Sequence, residues 1–154
     1  MCIRDSIVKR VGDISFSLLV LSLGSPLLLL LALVVKLSSK GSVFYCQRRI
    51  GRGYRGFGCL KFRTMRKDAD RVLAAVLASD PVLRAEFERD FKLKNDPRIT
   101  PIGRFLRRSS LDELPQFINV LKGEMSVVGP RPIVWDELER YGRTMDEVLA
   151  VRPD

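Results

Sequence analysis

Ile-Ser-Phe-Ser-Leu-Leu-Val-Leu-Ser-Leu-Gly-Ser-Pro-Leu-Leu-Leu-Leu-Leu-Ala-Leu-Val-Val, residues 14–35, holds no charged side chain. As a straight helix this stretch is about 33 Å long, against roughly 30 Å of bilayer hydrocarbon. It is not a secretory signal, because no small-residue cleavage site follows and Lys36 and Lys40 close it instead. Three placements suit such a run: a kinked span, a buried core helix, or a helix that enters the membrane and returns. Two details favour the last. Ser25-Pro26 lies near the middle, where a proline removes a helix hydrogen bond and kinks or breaks the helix at a cost of about 3 kcal/mol. Basic residues flank both ends, Lys9 and Arg10 before and Lys36 and Lys40 after, so both ends are expected on the cytoplasmic side. The expectation is a re-entrant helix-break-helix over residues 7–40, with a hydroxyl of Ser22 or Ser25 taking up the freed carbonyl.

Beyond the apolar run the period changes. Val43-Phe44-Tyr45-Cys46-Gln47 and residues 57–65 are β-branched and aromatic around a glycine-rich turn, predicting a hairpin with Leu60 and Phe62 on one face and Lys61 and Arg63 on the other. Gly51-x-Gly53-x-x-Gly56 matches a dinucleotide fingerprint only formally, because a strand rather than a helix follows it. A kinase glycine loop is excluded by the lack of a histidine-arginine-aspartate run. The glycines read as a turn.

Helices dominate the remainder. Val72, Leu73, Val76 and Leu77 repeat at helical spacing within residues 68–79. Asp80-Pro81 restarts the chain as N-cap and first helical residue, with Leu83, Phe87 and Phe91 as the next stripe. Asn95-Asp96-Pro97 and Thr100-Pro101 mark turns, and residues 102–108 form a short helix ending in two arginines. Leu114, Phe117, Ile118 and Leu121 form an apolar stripe that stops at Gly123. The fold class is α+β: the membrane helix plus a mainly helical cytoplasmic domain, residues 41–154, with one β-hairpin.

Chemistry concentrates at Asp112-Glu113. Arg98, Arg104, Arg107 and Arg108 precede this acidic pair, and Gly129-Pro130-Arg131-Pro132 follows it. Lys and Arg number 27 against 18 Asp and Glu, so anionic partners are expected. Carboxylates enclosed by arginines make sense if the arginines hold substrate phosphates while a carboxylate reacts or binds a metal. The chain has no histidine, which excludes Ser-His and Cys-His nucleophile pairs. Three cysteines without CxxC spacing argue against a disulfide scaffold. Ser110 and Glu113 have capping-box spacing, although a helix starting at Asp112 would place Pro115 harmlessly third. Asp112 is thus either a plain N-cap or an ionised carboxylate suited to attack on phosphorus or to Mg²⁺ binding.

These motifs together carry a resemblance. Lys9-Arg10-x-x-Asp13, the run broken at Ser25-Pro26, Val43-Phe44-Tyr45-x-Gln47-x-Arg49-x-Gly51 and Lys61-Phe62-Arg63-Thr64-Met65 stand in the order seen in bacterial sugar transferases. Asn95-Asp96-Pro97-Arg98-Ile99-Thr100, residues 110–116, Asn119-Val120-Leu121 and Met125-Ser126-Val127-Val128-Gly129-Pro130-Arg131-Pro132 complete the series. The chain resembles the monotopic polyprenol-phosphate phosphoglycosyl transferases, and residues 80–94 resemble the undecaprenyl-phosphate galactose phosphotransferases most. Pro101 and Ser109 depart from the family's usual arginine and threonine. The resemblance implies that Asp112 attacks the sugar-bearing phosphorus of a UDP-sugar and expels UMP, after which the phosphosugar passes to undecaprenyl phosphate. It implies that Glu113 and Mg²⁺ assist, and that Arg131, flanked by Pro130 and Pro132, holds the nucleotide. Lys61, Arg63, Arg98, Arg104, Arg107 and Arg108 are the further candidates for substrate binding. UDP-galactose or UDP-glucose is the favoured donor, the setting is the cytoplasmic face of a bacterial inner membrane among its lipids, and a homodimer is compatible. No nucleic acid is expected.

Two alternatives bear on activity: an inactive, shortened family member, and a membrane-tethered polyanion-binding module using Arg48, Arg49, Arg52, Tyr54 and Arg55. Residues 1–6 resemble the translation of a sequencing-library adaptor and are set aside from the fold. Val151-Arg152-Pro153 resembles the point where the family continues with glycine, so a C-terminally shortened catalytic domain is expected.

Overall fold

The computed structural model describes residues 7–90, 93–134 and 148–154. The expectations for residues 1–6 and for Phe91 lie outside these. Helix α1 (Ile7–Ser38) leads into an antiparallel hairpin of β1 (Phe44–Ile50) and β2 (Gly56–Phe62). Then follow α2 (Ala69–Ser79), α3 (Pro81–Asp90), α4 (Pro101–Arg108), a 3-10 turn (Leu111–Glu113) and α5 (Gln116–Lys122). One two-stranded sheet among helices is the α+β class expected.

The expected break at Ser25-Pro26 is absent: α1 is one helix of 32 residues with Pro26 inside it. The reason is local. Proline cannot donate to the carbonyl four residues back, that of Ser22. The Ser25 hydroxyl donates to that carbonyl at 2.8 Å, so the freed acceptor is satisfied and the helix continues.

Both ends of α1 touch the same domain. Near its start the Arg10 guanidinium donates to the carbonyls of Val120 (2.6 Å) and Leu121 (2.9 Å), the open end of α5. Buried Asp13 accepts from the Ser126 hydroxyl (2.8 Å) and the Val127 N–H (3.2 Å), while the Phe16 and Phe117 rings lie 6.0 Å apart. Near its other end, Leu31 and Val35 form a core with Phe62 and Leu106. Between these anchors Leu18, Leu19, Leu23, Leu29 and Leu30 stay exposed.

The hairpin runs three residues beyond the expected first strand, pairing Phe44 with Phe62 through to Ile50 with Gly56. Its turn closes through a 3-10 segment, with Gly53 at φ 64° and Tyr54 at φ 62°. Strand β2 is covered on both faces. Phe62 enters the core shared with α1, while Cys59 packs on Val120 and Met125. Ile50 extends the pairing to residue 133, its N–H donating to the Ile133 carbonyl at 2.8 Å.

The helix signals of the middle segment hold. Asp80 caps α3, accepting from the N–H groups of Val82 (2.8 Å) and Leu83 (3.2 Å). Thr100 caps α4 by accepting from the Gly103 N–H at 2.9 Å. Gly103 is required for another reason: a Cβ there would lie 2.0 Å from the Thr64 carbonyl oxygen. Gly103→Ala must push α4 away from the segment after β2, and overpacking of this kind costs about 1–3 kcal/mol. Thermal unfolding in detergent should show a clearly lowered midpoint for Gly103→Ala. Gly24→Ala, where a Cβ meets nothing within 4 Å, should not lower it.

Candidate active site

Ser110, at φ 56°, turns the chain sharply after α4 and starts the 3-10 turn that carries Asp112 and Glu113. The expected capping box does not form: neither Ser110 nor Pro115 makes a side-chain cap, and only the Glu113 N–H reaches the Ser110 carbonyl, at 3.2 Å. Asp112 is the second residue of the turn, not an N-cap, and α5 begins at Gln116, later than expected. The flanking Leu111 and Leu114 pack onto the core that holds Leu31 and Val35 of α1. The acidic pair is therefore seated on the core that α1 shares with β2 and α4.

The two carboxyls differ in environment. Asp112 is buried, whereas the Glu113 side chain is 49% exposed and meets the Lys61 ammonium at 2.5 Å. Burial pushes the Asp112 carboxyl above the usual carboxylate range; the Lys61 charge opposes this most, Glu113 adds to it, and Arg107 pulls it down slightly. The sequence suggested a carboxylate kept ionised by arginines. Desolvation outweighs them, and the main opposing cation is a lysine.

A cavity of about 370 Å³ opens beside Glu113, walled by Arg49, Cys59, Lys61, Glu113, Gln116, Arg131, Pro132 and Asp154; Asp112 is not among its lining residues. Of the expected substrate-binding residues it gathers Lys61, Arg131 and Pro132. Pro130 lies next to this wall, its carbonyl accepting from the Asp154 N–H at 2.9 Å. A second, smaller cavity of about 220 Å³ shares Glu113, Gln116 and Asp154 but is otherwise mostly apolar, lined by Leu114, Phe117, Val120, Met125 and Val127. Cys59 is no candidate nucleophile, since burial pushes its thiol up against the opposing charges of Lys61 and Arg49.

The remaining expected arginines lie away from this cavity wall. Arg63 clamps the end of α1, donating to the Ser39 carbonyl (2.6 Å), the Ser39 hydroxyl (2.9 Å) and the Ser42 carbonyl. Arg98 is held by Asp96 in a two-pronged pair with contacts of 2.6–3.0 Å. Arg107 reaches the Thr64 hydroxyl at 2.9 Å, so it acts on Asp112 only through its charge. Arg104 and Arg108 stand exposed on α4 and do not line the cavity. Closeness in sequence to Asp112 did not fix where these side chains go, because α4 spreads them around a helix.

Other residues matter more than their sequence signal implied. Asn119, buried within the apolar stripe of α5, accepts from the Leu60 N–H (3.0 Å) and donates to the Gly58 carbonyl (2.7 Å) and to Glu124 (2.6 Å). It fastens α5 to the strand that carries Lys61. An amide in an otherwise apolar helical face was the available clue, since such a group needs buried partners. Gln116 was likewise overlooked.

The family described as bacterial sugar transferase matches this chain over residues 4–153. The chain belongs to the bacterial sugar transferases. An uncharacterized sugar transferase of Haemophilus influenzae is 56% identical over 151 residues, 98% of this chain and 32% of the relative. The undecaprenyl-phosphate galactose phosphotransferase of Salmonella typhimurium is 53% identical over 146 residues, 95% of this chain and 30% of the relative. The UDP-glucose:undecaprenyl-phosphate glucose-1-phosphate transferase of Escherichia coli is 44% identical over 142 residues, 92% of this chain and 27% of the relative. The chain thus spans about a third of the length of these relatives.

For this sugar transferase the raised Asp112 carboxyl has a consequence for stability. The folded state holds that proton more tightly than the unfolded chain does. Its contribution is therefore present at low pH and lost as pH rises through the raised value. Asparagine does not titrate. Asp112→Asn should accordingly gain stability relative to the parent as pH rises from 4 to 7, measured by thermal unfolding in nanodiscs. A variant that loses ground over that range would contradict the burial argument.

Proposed function

We propose that this chain is the catalytic part of an enzyme that moves a sugar-1-phosphate from a UDP-sugar to undecaprenyl phosphate and releases UMP. The observation that carries the reading is the seat of Asp112: buried, beside the Lys61–Glu113 pair, on a turn whose leucines pack on the core that includes Leu31 and Val35 of the membrane-type helix. A phosphorylated, water-soluble donor and a lipid acceptor must meet at such a boundary. The polar cavity and the apolar cavity share Glu113, Gln116 and Asp154 in their walls, which suits one substrate of each kind.

In this reading an Asp112 oxygen forms a bond to the sugar-bearing phosphorus while the phosphorus–oxygen bond to UMP breaks, UMP leaving with the electron pair. The resulting acyl phosphate is then attacked by an oxygen of undecaprenyl phosphate, and the carboxylate departs. Lys61 supplies positive charge beside the reacting phosphoryl group, and Arg131 binds the nucleotide. The identity to the Salmonella relative favours galactose as the sugar. Product would serve as the first lipid-linked sugar of a surface polysaccharide.

Mg²⁺ fits the residues present. Glu113 offers one half-exposed carboxylate on the cavity wall. That suits an ion which takes one or two carboxylates and completes its shell with substrate phosphates and water. Its chemistry there would be to neutralise diphosphate charge. Glu113 is the residue that would hold it.

The contacts of α1, unbroken at Pro26, support shallow insertion with both ends on one side of the bilayer rather than a turn back within it. A helix crossing the bilayer puts its ends on opposite faces, yet residues near both ends of α1 contact one domain. A straight helix from Arg10 to Val35 covers about 37 Å, longer than the hydrocarbon layer. An N-terminus, a C-terminus and a catalytic domain all on the cytoplasmic face follow from this placement, together with the flanking lysines.

Two measurements test these readings. Mass spectrometry of enzyme mixed with UDP-sugar alone should find a phosphosugar adduct on Asp112, absent in Asp112→Asn, which should lose essentially all turnover while staying folded. Glu113→Gln should slow turnover severely yet still form the adduct. An adduct on another residue, or turnover retained in Asp112→Asn, would end the assignment. For topology, single cysteines beside Lys9 and beside Lys40, in a background lacking Cys2 and Cys46, should be labelled from the same side of sealed vesicles. Opposite-side labelling would establish a span instead.

A further inference from the structure

Arg49 is a buried cation in a cavity wall with only neutral hydrogen-bond acceptors. Its residue is only 9% exposed, and it stands in the wall of the larger cavity beside Glu113. Its guanidinium donates to two neutral acceptors, the Pro132 carbonyl at 3.2 Å and the Gln47 side-chain oxygen at 3.0 Å. Its Nε–H is buried with no hydrogen-bond partner. No carboxylate among the described residues pairs with it. Cations this deeply buried are ordinarily paired, because the loss of hydration is otherwise uncompensated. What distinguishes Arg49 is the lack of a charged partner in a cavity wall: Arg98, less buried, has Asp96 in a two-pronged pair, and Arg63, less buried and also with an unpartnered Nε–H, bonds to backbone carbonyls at the end of α1.

We propose that Arg49 binds a phosphate of the nucleotide-sugar, and that through the Pro132 carbonyl it also sets the segment bearing Arg131 on the opposite side of that phosphate. The identity of the anion rests on the transferase reading above; the need for an anion rests on Arg49 alone. A guanidinium presents planar, forked donors that match phosphate. The division of cations fits a displacement in line. Lys61 is engaged at Glu113, on the side of the attacking Asp112, so it serves the phosphoryl group being transferred. Arg49 and Arg131 share the cavity wall without contacting Glu113, and the leaving phosphate of UMP must lie opposite the attacking oxygen. The arginine of the hairpin is therefore a binding residue for the leaving nucleotide. It is not part of an exposed basic turn, which sets it apart from its neighbours Arg52 and Arg55.

The test uses the full chain in nanodiscs, carrying Asp112→Asn so that no turnover intervenes, with Arg49 intact or changed to Lys, Gln or Met. Isothermal titration with UMP should show affinity reduced at least about tenfold in Arg49→Gln and Arg49→Met, the scale expected for losing charged hydrogen bonds. Arg49→Lys should recover part of it. Uridine, which lacks the phosphate, should bind all four forms alike. Equal UMP affinity across folded variants would overturn the proposal while leaving the Asp112 adduct, and thus the transferase reading, untouched. A fall in uridine affinity equal to that for UMP would also overturn it, by showing a general collapse of the cavity. Should the Arg49-intact protein bind no UMP, the transferase reading fails, and inorganic phosphate decides the remainder. A phosphate-dependent rise in unfolding temperature that is present with Arg49 and lost in Arg49→Met supports an anion seat, and an equal rise in both refutes it.

Discussion

An apolar helix held at both ends by one domain is the constraint on which the rest of this structure depends. The leucines between the anchors cannot be covered by the domain they are tied to, and each apolar side chain moved out of water contributes about 1.5–3 kcal/mol. A bilayer is the available cover. The polar grip at the start of α1, Arg10 on the last carbonyls of α5 and Asp13 on Ser126 and Val127, orients α5 against the helix. The apolar grip at its end, Leu31 and Val35 on Phe62 and Leu106, orients the hairpin and α4. The turn bearing Asp112 lies between these two grips and belongs to the second, through Leu111 and Leu114.

That seat explains the chemistry of the acidic pair. A carboxyl on an apolar core is desolvated, which raises its proton affinity and makes its ionised form more reactive than a hydrated carboxylate. Lys61, positioned by the strand that Asn119 fastens to α5, supplies the charge that moderates this. Helix α5 is too short to have been the source of order; its position comes from Arg10 and Phe16 of α1 and from the bonds its own Asn119 makes to β2.

Much of the architecture could be read along the chain because its signals are local. The hairpin, the cap at Asp80, the cap at Thr100 and the stop at Gly123 follow from alternation, side-chain oxygens before helices and a glycine where φ is positive. The helix ends were less legible. Ser110 and Glu113 have the spacing of a capping box, but Pro115 and the left-handed Ser110 impose a 3-10 turn first, and side-chain capping gives way. Pro26 promised a break, and a single hydroxyl one residue earlier removes the need for one.

What the sequence by itself determined is the membrane-type helix, the α+β order of elements and the acidic pair with its family motifs, since these are written in contiguous residues. Tertiary structure alone decided which cations serve that pair. Arg63, Arg98 and Arg107 stand near it in the motifs yet bond to carbonyls, a carboxylate and a hydroxyl, whereas Lys61 arrives from the hairpin to meet Glu113. The physical reason is that a charge's role depends on its burial and on the partner it faces. Both are properties of the packed chain, settled only when strand, helix and loop meet around one cavity.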